Sequence, residues 1–104
     1  KNTPDKLMYR NLAASLIMNE KIKTTIKRAR LLQPQVEKMI TISREPGLNT
    51  KRRLHDMLKN KEAEKKIQTE LAKKYKDQKG GYSRILKLDR RQGDGAQMVQ
   101  LELL

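Results

Sequence analysis

Residues 80–104 read GGYSRILKLDRRQGDGAQMVQLELL, and this stretch decides the fold. Its opening glycine pair breaks any helix that comes before it. The segment from Tyr82 to Leu88 has the length and the β-favouring residues of a strand. Val99, Leu101 and Leu103 then alternate with other side chains, which is the period of a half-buried strand. A loop of glycines and aspartates joins the two segments, so they predict an antiparallel hairpin whose apolar face must be covered by helices.

A helix and a short strand are predicted at the start of the chain. Thr3 and Pro4 are a typical N-cap and first helical residue, so the first helix is expected to run to about Met18 and to end at Asn19. The segment Ile22-Lys23-Thr24-Thr25-Ile26 alternates and is rich in β-branched residues. Because it is too short to be stable alone, it predicts a third strand added to the hairpin.

The second predicted helix contains a proline. Thr25 is its expected N-cap, and an apolar face continues at helical spacing as far as Ile40. Pro34 lies inside that range, where it removes a backbone N–H and clashes with the carbonyl of Arg30. Because the apolar phase continues across the proline, we expect one kinked helix; a break at Gln33 is the alternative.

Two more helices complete the predicted domain. Thr50 is expected to cap a short third helix, and a fourth helix should extend over about residues 62–75. Two ion pairs with a spacing of four residues are expected on the fourth helix, namely Glu62–Lys66 and Glu70–Lys74. The order helix, short strand, three helices and hairpin predicts a single α+β domain over residues 1–104, with two layers and a small mixed sheet covered by helices.

The chain is small and strongly basic. It has 104 residues, a formal net charge of +13, 36% apolar residues and a mean hydropathy of −0.90. Such a charge repels itself unless a polyanion offsets it, so the expected partner is a nucleic acid or an anionic membrane surface. No apolar run is long enough to span a bilayer. The first residues do not form a signal peptide. A targeting segment that was removed ahead of them stays an open alternative.

The sequence does not indicate catalytic chemistry. His55 is the only histidine, and its neighbour Asp56 would point elsewhere if both lie on a helix. Asp89 and Asp94 flank the hairpin loop, where aspartates usually satisfy turn hydrogen bonds. The chain has no cysteine, so it offers neither a disulfide nor a thiolate metal ligand. We therefore expect no enzyme, no cofactor, no metal site and no small-molecule substrate.

The cations form four clusters, as a nucleic-acid surface requires. The first cluster surrounds the short strand and the start of the second helix, and the second opens the third helix. The third cluster closes the fourth helix, and the fourth lies on the hairpin or at its turn. In chain order they are Lys21, Lys23, Lys27, Arg28 and Arg30; Lys51, Arg52 and Arg53; Lys73, Lys74, Lys76 and Lys79; and Arg84, Lys87, Arg90 and Arg91. Cations at a helix start are unfavourable alone, and a bound phosphate would compensate for the second cluster. For the hairpin cations, a solvated face is the alternative.

The few aromatic residues indicate which kind of RNA is bound. Tyr9, Tyr75 and Tyr82 are the only ones. Proteins that read single strands stack the bases on aromatic side chains. The composition therefore predicts recognition of folded RNA by its backbone and shape. Tyr82, beside the glycine pair, either packs in the core or contacts RNA.

Three motifs stand out in the hairpin: GGYSRILK at residues 80–87, R-x-G-D-x-A-x-M at residues 91–98 and LEL at residues 101–103. They resemble the C-terminal signature of the bacterial-type large-subunit ribosomal protein L17 family. The first half of the chain resembles that family in the same order and spacing, at Arg10-Asn11-Leu12, Ser15-Leu16, Glu20, Ile22, Thr24-Thr25, Ala29, Glu37 and Ile40-Thr41.

The resemblance implies an α+β ribosomal protein that binds large-subunit rRNA on the side where the nascent chain emerges. It also implies contacts with neighbouring large-subunit ribosomal proteins. Carried over position by position, it implies RNA or structural contacts at Arg10, Thr24, Thr25, Tyr82, Arg84, Lys87 and Arg91.

The chain also departs from the family pattern. The family usually opens with a basic extension and a His-Arg pair, near the place where this chain has Pro4-Asp5. Asn19 stands where a histidine is common, Gln97 where a proline is common, and Pro34 interrupts a helix that is usually continuous. These departures favour a mitochondrial member acting in the mitochondrial matrix; a bacterial member in the cytoplasm is the alternative.

We therefore expect a structural constituent of the large ribosomal subunit, supporting translation by neutralising phosphates where rRNA segments approach each other. The hairpin and the starts of the second and third helices are the expected contact surface. A small helical DNA-binding regulator is the alternative, because the third and fourth helices form a pair with a basic start. An RNA-processing enzyme is a third hypothesis, which the missing acid–base and metal groups disfavour.

Overall fold

The order of the elements agrees with the prediction. A computed structural model describes residues 3–78 and 80–104, with side chains from residue 6 onward. The elements are α1 (Thr3–Asn19), β1 (Lys21–Thr25), α2 (Ile26–Ser43), α3 (Leu48–Leu58), α4 (61–74), β2 (Ser83–Arg90) and β3 (Gln97–Leu103). Within α4, a π-helical turn at Ile67–Leu71 separates the α-helical segments Lys61–Lys66 and Ala72–Lys74. The α+β class is confirmed.

The three strands form one sheet with the order β1-β3-β2. Both strand pairs are antiparallel. The sheet is therefore purely antiparallel, and the expectation of a mixed sheet is wrong. The short strand β1 does pair with the hairpin, through the central strand β3. One irregularity interrupts the hairpin: from Lys87 to Arg90, β2 advances three residues while β3 advances two, from Val99 to Gln97. The extra residue in β2 is a β-bulge.

Helices cover one face of the sheet and leave the other face open. Val99 and Leu101 on the central strand are fully buried, and so are Leu32 and Val36 of α2, which packs against all three strands. Each such side chain contributes about 1.5–3 kcal/mol to folding when it leaves water. Residues that stand opposite each other share a face, and the open face therefore carries two rows across the sheet, Lys21–Glu102–Arg84 and Lys23–Gln100–Leu86.

The helix α2 begins as predicted and continues through its proline. The Thr25 side chain accepts a hydrogen bond from the backbone N–H of Arg28 at 3.4 Å, which is an N-cap contact. Pro34 lies inside one uninterrupted helix, so the alternative break at Gln33 is wrong. Leu32 and Val36, on either side of the proline, are both buried. The apolar face of the helix therefore continues across Pro34 at the same helical spacing.

The start of α3 differs from the prediction. The helix begins at Leu48, and its N-cap is Gly47 with a φ of 118°. A positive φ of this size suits only glycine, so the backbone and not a side chain decides where the helix starts. Thr50 is buried inside the first turns of the helix and is not its cap. In α4, Asn60 caps the helix by accepting a hydrogen bond from the Ala63 N–H at 3.0 Å.

The ion pairs expected within α4 are replaced by pairs to another element. Lys66 and Lys74 lie 3.2 and 3.3 Å from the carboxylate of Glu20, and Lys66 also donates to the Met18 carbonyl at 2.8 Å. Glu20 stands between α1 and β1 with a φ of 65°. Its carboxylate therefore links the connection between α1 and β1 to α4. The hydrogen bond from Lys66, supported by Lys74, lowers the pKa of Glu20 below its ordinary value of 4.5.

We predict that Glu20→Gln destabilises the protein at neutral pH but not in acid. A lowered pKa in the folded state gives stability that is present above pH 4.5 and is lost as the pH falls through the lowered value. The Glu20 side chain is 41% exposed, so the effect at pH 7 should stay at about 1 kcal/mol or less. Urea unfolding at pH 7 and pH 3 measures it. Glu70→Gln is the matched control, and an equal loss in both variants would contradict the prediction.

Candidate nucleic-acid interface

The topology brings the start of α2 and the hairpin loop to the same end of the sheet. Thr25, the last residue of β1, stands opposite Met98, and Arg90, the last residue of β2, stands opposite Gln97. Neighbouring strands lie about 4.8 Å apart, so the chain enters α2 within about 10 Å of the hairpin loop. We name the side chains of Lys27, Arg28, Lys87 and Arg90, together with the loop 91–96, the turn-end surface.

Three cations of the turn-end surface form no ion pair with any side chain that the structure describes. Lys27, Arg28 and Lys87 are exposed, and none of the ion pairs formed by the described side chains includes them. The first turn of α2 contains no acidic residue. Its free N–H groups add a partial positive charge to those of the two cations. This end of the sheet therefore has a positive potential that an anion would relieve.

The loop 91–96 is held by hydrogen bonds of its own. Arg91 donates to Asp94 through Nε, at 3.1 Å from Oδ1, and through Nη2, at 2.5 Å from Oδ2. Asp94 Oδ1 also accepts from the Ala96 N–H at 3.1 Å, which confirms the expectation that this aspartate satisfies turn hydrogen bonds. The Arg90 side chain donates to the Gly95 carbonyl at 3.0 Å. Two of the predicted RNA-binding arginines are thus engaged inside the loop.

The charge state of Asp94 follows from this geometry. Hydrogen bonds from the Arg91 guanidinium, helped by the Ala96 N–H, hold the pKa of the Asp94 carboxyl at about 2, below its ordinary value of 3.8. The carboxylate is therefore ionised at neutral and mildly acidic pH. Sequence reasoning gave Asp94 no role beyond turn formation; its position three residues after an arginine, across a glycine, was the signal for the pair.

The open face of the sheet carries further predicted residues, one of which is paired. Arg84 donates from Nε to Glu102 at 2.7 Å. Hydrogen bonds from Gln100 and from Arg84 lower the pKa of Glu102. Lys23 is exposed opposite Gln100, and no carboxylate among the described side chains pairs with it. The pairing of Arg84 leaves Lys23 as the predicted RNA-binding cation of this face that is free to meet an anion.

Two predicted contact residues lie in the interior, and one lies outside the described residues. Tyr82 is fully buried, with its ring centroid 5.0 Å from that of Tyr75. Thr24 is also buried, on the face of the sheet that the helices cover. Neither offers a surface to RNA in this conformation, so their expected contact role is replaced by packing. Thr25 acts as the cap of α2. Lys79 lies outside the residues that the structure describes.

The basic cluster of α3 is separate from the turn-end surface. The side chains of Lys51, Arg52 and Arg53 are exposed. They were expected to open α3, but the helix starts three residues earlier, at Leu48. Lys51 lines a groove of about 520 Å³ together with Ser43, the last residue of α2. The cluster therefore lies towards the C-terminal end of α2, whereas Lys27 and Arg28 lie at its start. The 18 residues of α2 extend about 27 Å.

The groove beside α3 contains two lysines that sequence reasoning did not single out. Lys61 and Lys65 of α4 line it with Lys51. They are four residues apart and so lie on the same side of a helix, which was the available signal. Arg10, the predicted contact residue of α1, is half-buried. The structure thus divides the predicted contact residues between several places instead of one continuous patch.

Other chemistry is limited among the described residues. His55 is exposed and lies 3.0 Å from Glu64 of α4, so its partner is a carboxylate on the next helix and not its neighbour Asp56. Over residues 6–78 and 80–104, no group of three or more histidine, aspartate or glutamate side chains is arranged to hold a metal ion. Within the same part of the chain, every helix is too short or too polar to cross a bilayer.

Comparison with known proteins gives the family. The sequence profile described as Ribosomal protein L17 matches residues 8–104. The large ribosomal subunit protein bL17 of Chloroflexus aurantiacus is 46% identical over 99 residues, which are 95% of this chain and 85% of the relative. The protein of the same name from Mesoplasma florum is 42% identical over 111 residues, with 100% and 93% covered. That from Tropheryma whipplei (strain Twist) is 42% identical over 100 residues, with 96% and 56% covered.

The relatives show how much of the chain is shared with the family and in which organisms the family members occur. The chain spans 56% of the length of the Tropheryma relative. All three relatives are bacterial, which gives no support to the expected mitochondrial origin. The profile match over residues 8–104 and the identities of 42% and 46% over nearly the whole chain confirm the resemblance seen in the hairpin motifs. The chain belongs to the ribosomal protein L17 family.

Proposed function

We propose that the protein is a structural constituent of the large ribosomal subunit and that its turn-end surface binds folded rRNA. Family membership supports the place in the subunit. The observation that supports rRNA binding is the group formed by Lys27, Arg28 and Lys87, which are exposed at one end of the sheet and form no ion pair among the described side chains. In a chain of net charge +13, phosphates are the natural counterions for this group. The proposed partners are rRNA and neighbouring ribosomal proteins.

The spacing of the basic groups supports a bridging role. The α3 cluster and the turn-end surface lie towards opposite ends of α2, about 27 Å apart along the helix. Two cationic areas on a rigid body can neutralise phosphates on two rRNA segments at once, and this would stabilise the folded RNA. Lys23 and Arg10 would contribute at the periphery.

The test removes two charges from the turn-end surface. We predict that the double variant Lys27→Ala, Arg28→Ala binds large-subunit rRNA fragments more weakly, and that the slope of log K against log salt concentration becomes shallower by about 2. Each lost phosphate contact releases one counterion fewer, which is why the slope changes together with the affinity. Filter binding between 50 and 200 mM salt measures both quantities.

A matched control separates local contacts from overall charge. The double variant Lys38→Ala, Lys73→Ala loses the same charge at exposed positions away from the turn-end surface. If both double variants weaken binding equally, the turn-end surface has no special role. A duplex DNA competitor of equal length tests the DNA-binding alternative. If the protein stays at the top of a sucrose gradient at moderate salt, the place in the large subunit is contradicted.

A further inference from the structure

The loop 91–96 contains an arginine whose charge is already satisfied. Both donor groups on one edge of the Arg91 guanidinium, Nε and Nη2, are bound to the Asp94 carboxylate. This side-on edge is one of the two edges on which a guanidinium binds a phosphate in a bidentate manner, and here a carboxylate occupies it. Among the side chains described, three other cations of the turn-end surface, Lys27, Arg28 and Lys87, form no such ion pair. Arg91 therefore differs from Lys27, Arg28 and Lys87 although all were predicted to contact RNA.

Backbone hydrogen bonds close the same loop and act together with the ion pair. The backbone N–H of Arg91 donates to the Ala96 carbonyl at 2.8 Å, and the Gly95 N–H donates to the Arg91 carbonyl at 3.0 Å. Asp94 completes the ring of contacts through the Ala96 N–H. Gly93 and Gly95 have φ values of 100° and 69°, which a residue with a side chain adopts with strain. Backbone, glycines and ion pair together specify one loop conformation in the free protein.

We propose that the Arg91–Asp94 pair positions the turn-end surface for RNA and that Arg91 is a positioning residue, not a phosphate contact. This inference rests on the proposed rRNA binding and refines it. The loop connects to Arg90, whose side chain donates to the Gly95 carbonyl, and to the strand β3, where Met98 stands opposite Thr25, the N-cap of α2. A loop that is already ordered loses less conformational freedom on binding, and this lowers the cost of association.

The sign of one substitution distinguishes the two roles. Removing a carboxylate from a protein that binds a polyanion should strengthen binding through charge alone. If Arg91 contacts phosphate, Asp94→Asn would free its guanidinium and strengthen binding further. If the pair positions the loop, Asp94→Asn weakens binding, by about 3-fold to 10-fold if one or two side chains must be ordered again. Asp89→Asn is the matched control, because Asp89 is an exposed aspartate of the same hairpin and forms no ion pair among the described side chains.

The salt dependence of Arg91→Ala gives a second readout. A positioning residue should lower the affinity and leave the salt slope unchanged, whereas loss of a phosphate contact should reduce the slope by about 0.9. Both measurements use the whole chain and the same rRNA fragments, with circular dichroism to show that the variants are folded. Tighter or unchanged binding by Asp94→Asn, or a shallower slope in Arg91→Ala, overturns the inference. Failure of the unaltered protein to bind rRNA overturns the proposed function instead.

Discussion

Tyr82→Ala should lower the free energy of unfolding by about 3–5 kcal/mol, which is the range for removing a large aromatic side chain from a core. The ring is fully buried against Tyr75, and Arg44 lies over its face with 5.6 Å between Cζ and the ring centroid. Its hydroxyl donates to the Gln78 carbonyl at 3.0 Å. Truncation therefore leaves a cavity and removes one of the two hydrogen bonds that the Gln78 carbonyl accepts, the other coming from Arg44. Urea unfolding monitored by circular dichroism measures the loss.

The variant Tyr82→Phe separates packing from hydrogen bonding. It keeps the ring and removes the hydroxyl, so the expected loss is only about 1 kcal/mol. rRNA affinity, measured where each variant is folded, should be the same for Tyr82→Phe as for the unaltered protein. A stable Tyr82→Ala protein with weakened rRNA binding would contradict the buried position and return Tyr82 to the RNA surface.

Pro34→Ala should raise the free energy of unfolding by about 1–3 kcal/mol. Proline costs about 3 kcal/mol relative to alanine inside a helix, because it has no N–H and its ring crowds the preceding turn. It also restricts the unfolded chain, and losing that restriction takes back about 0.4–1 kcal/mol. Pro34 is exposed, so its replacement removes no core contact. Thermal and urea unfolding measure the gain.

The control for this prediction is another exposed position on α2. Lys38→Ala should change the stability by about 0.5 kcal/mol or less, as surface substitutions usually do. A loss of stability in Pro34→Ala would mean that the helix depends on the proline ring. An unchanged stability would mean that the carbonyl of Arg30 is satisfied by solvent as well as by an amide.

The periodic parts of the sequence predicted the fold correctly. Positions that depend on a single backbone angle were not predicted. The alternation of Val99, Leu101 and Leu103 identified the central strand, because a one-residue shift would expose all three. The start of α3 was misplaced because the φ of Gly47 outweighed the capping preference of Thr50. A cap preference amounts to about 1 kcal/mol and yields easily to tertiary context.

The site was predicted in composition but not in arrangement. Spacing along α4 suggested partners for Lys66 and Lys74, yet both lysines pair with Glu20, which is distant in sequence. Tyr82 lies just before β2, so strand alternation said nothing about its side chain, which turns into the core after the glycine pair. Long-range partners and residues beside a turn depend on the packed chain, and local pattern does not reveal them.

The bulge in β2 has a consequence for the charge beside α2. Without the extra residue, regular alternation would place Asp89 opposite Gln97; with it, Arg90 takes that place. Gln97 is two residues from Val99 and so shares its face, the face on which α2 packs. A one-residue change in strand phase thus places a cation instead of an anion opposite Gln97, while the composition stays the same. Deleting residue 88 or 89 would remove the bulge and still leave Arg90 opposite Gln97, so the extra residue is what brings the cation to this position in the present sequence.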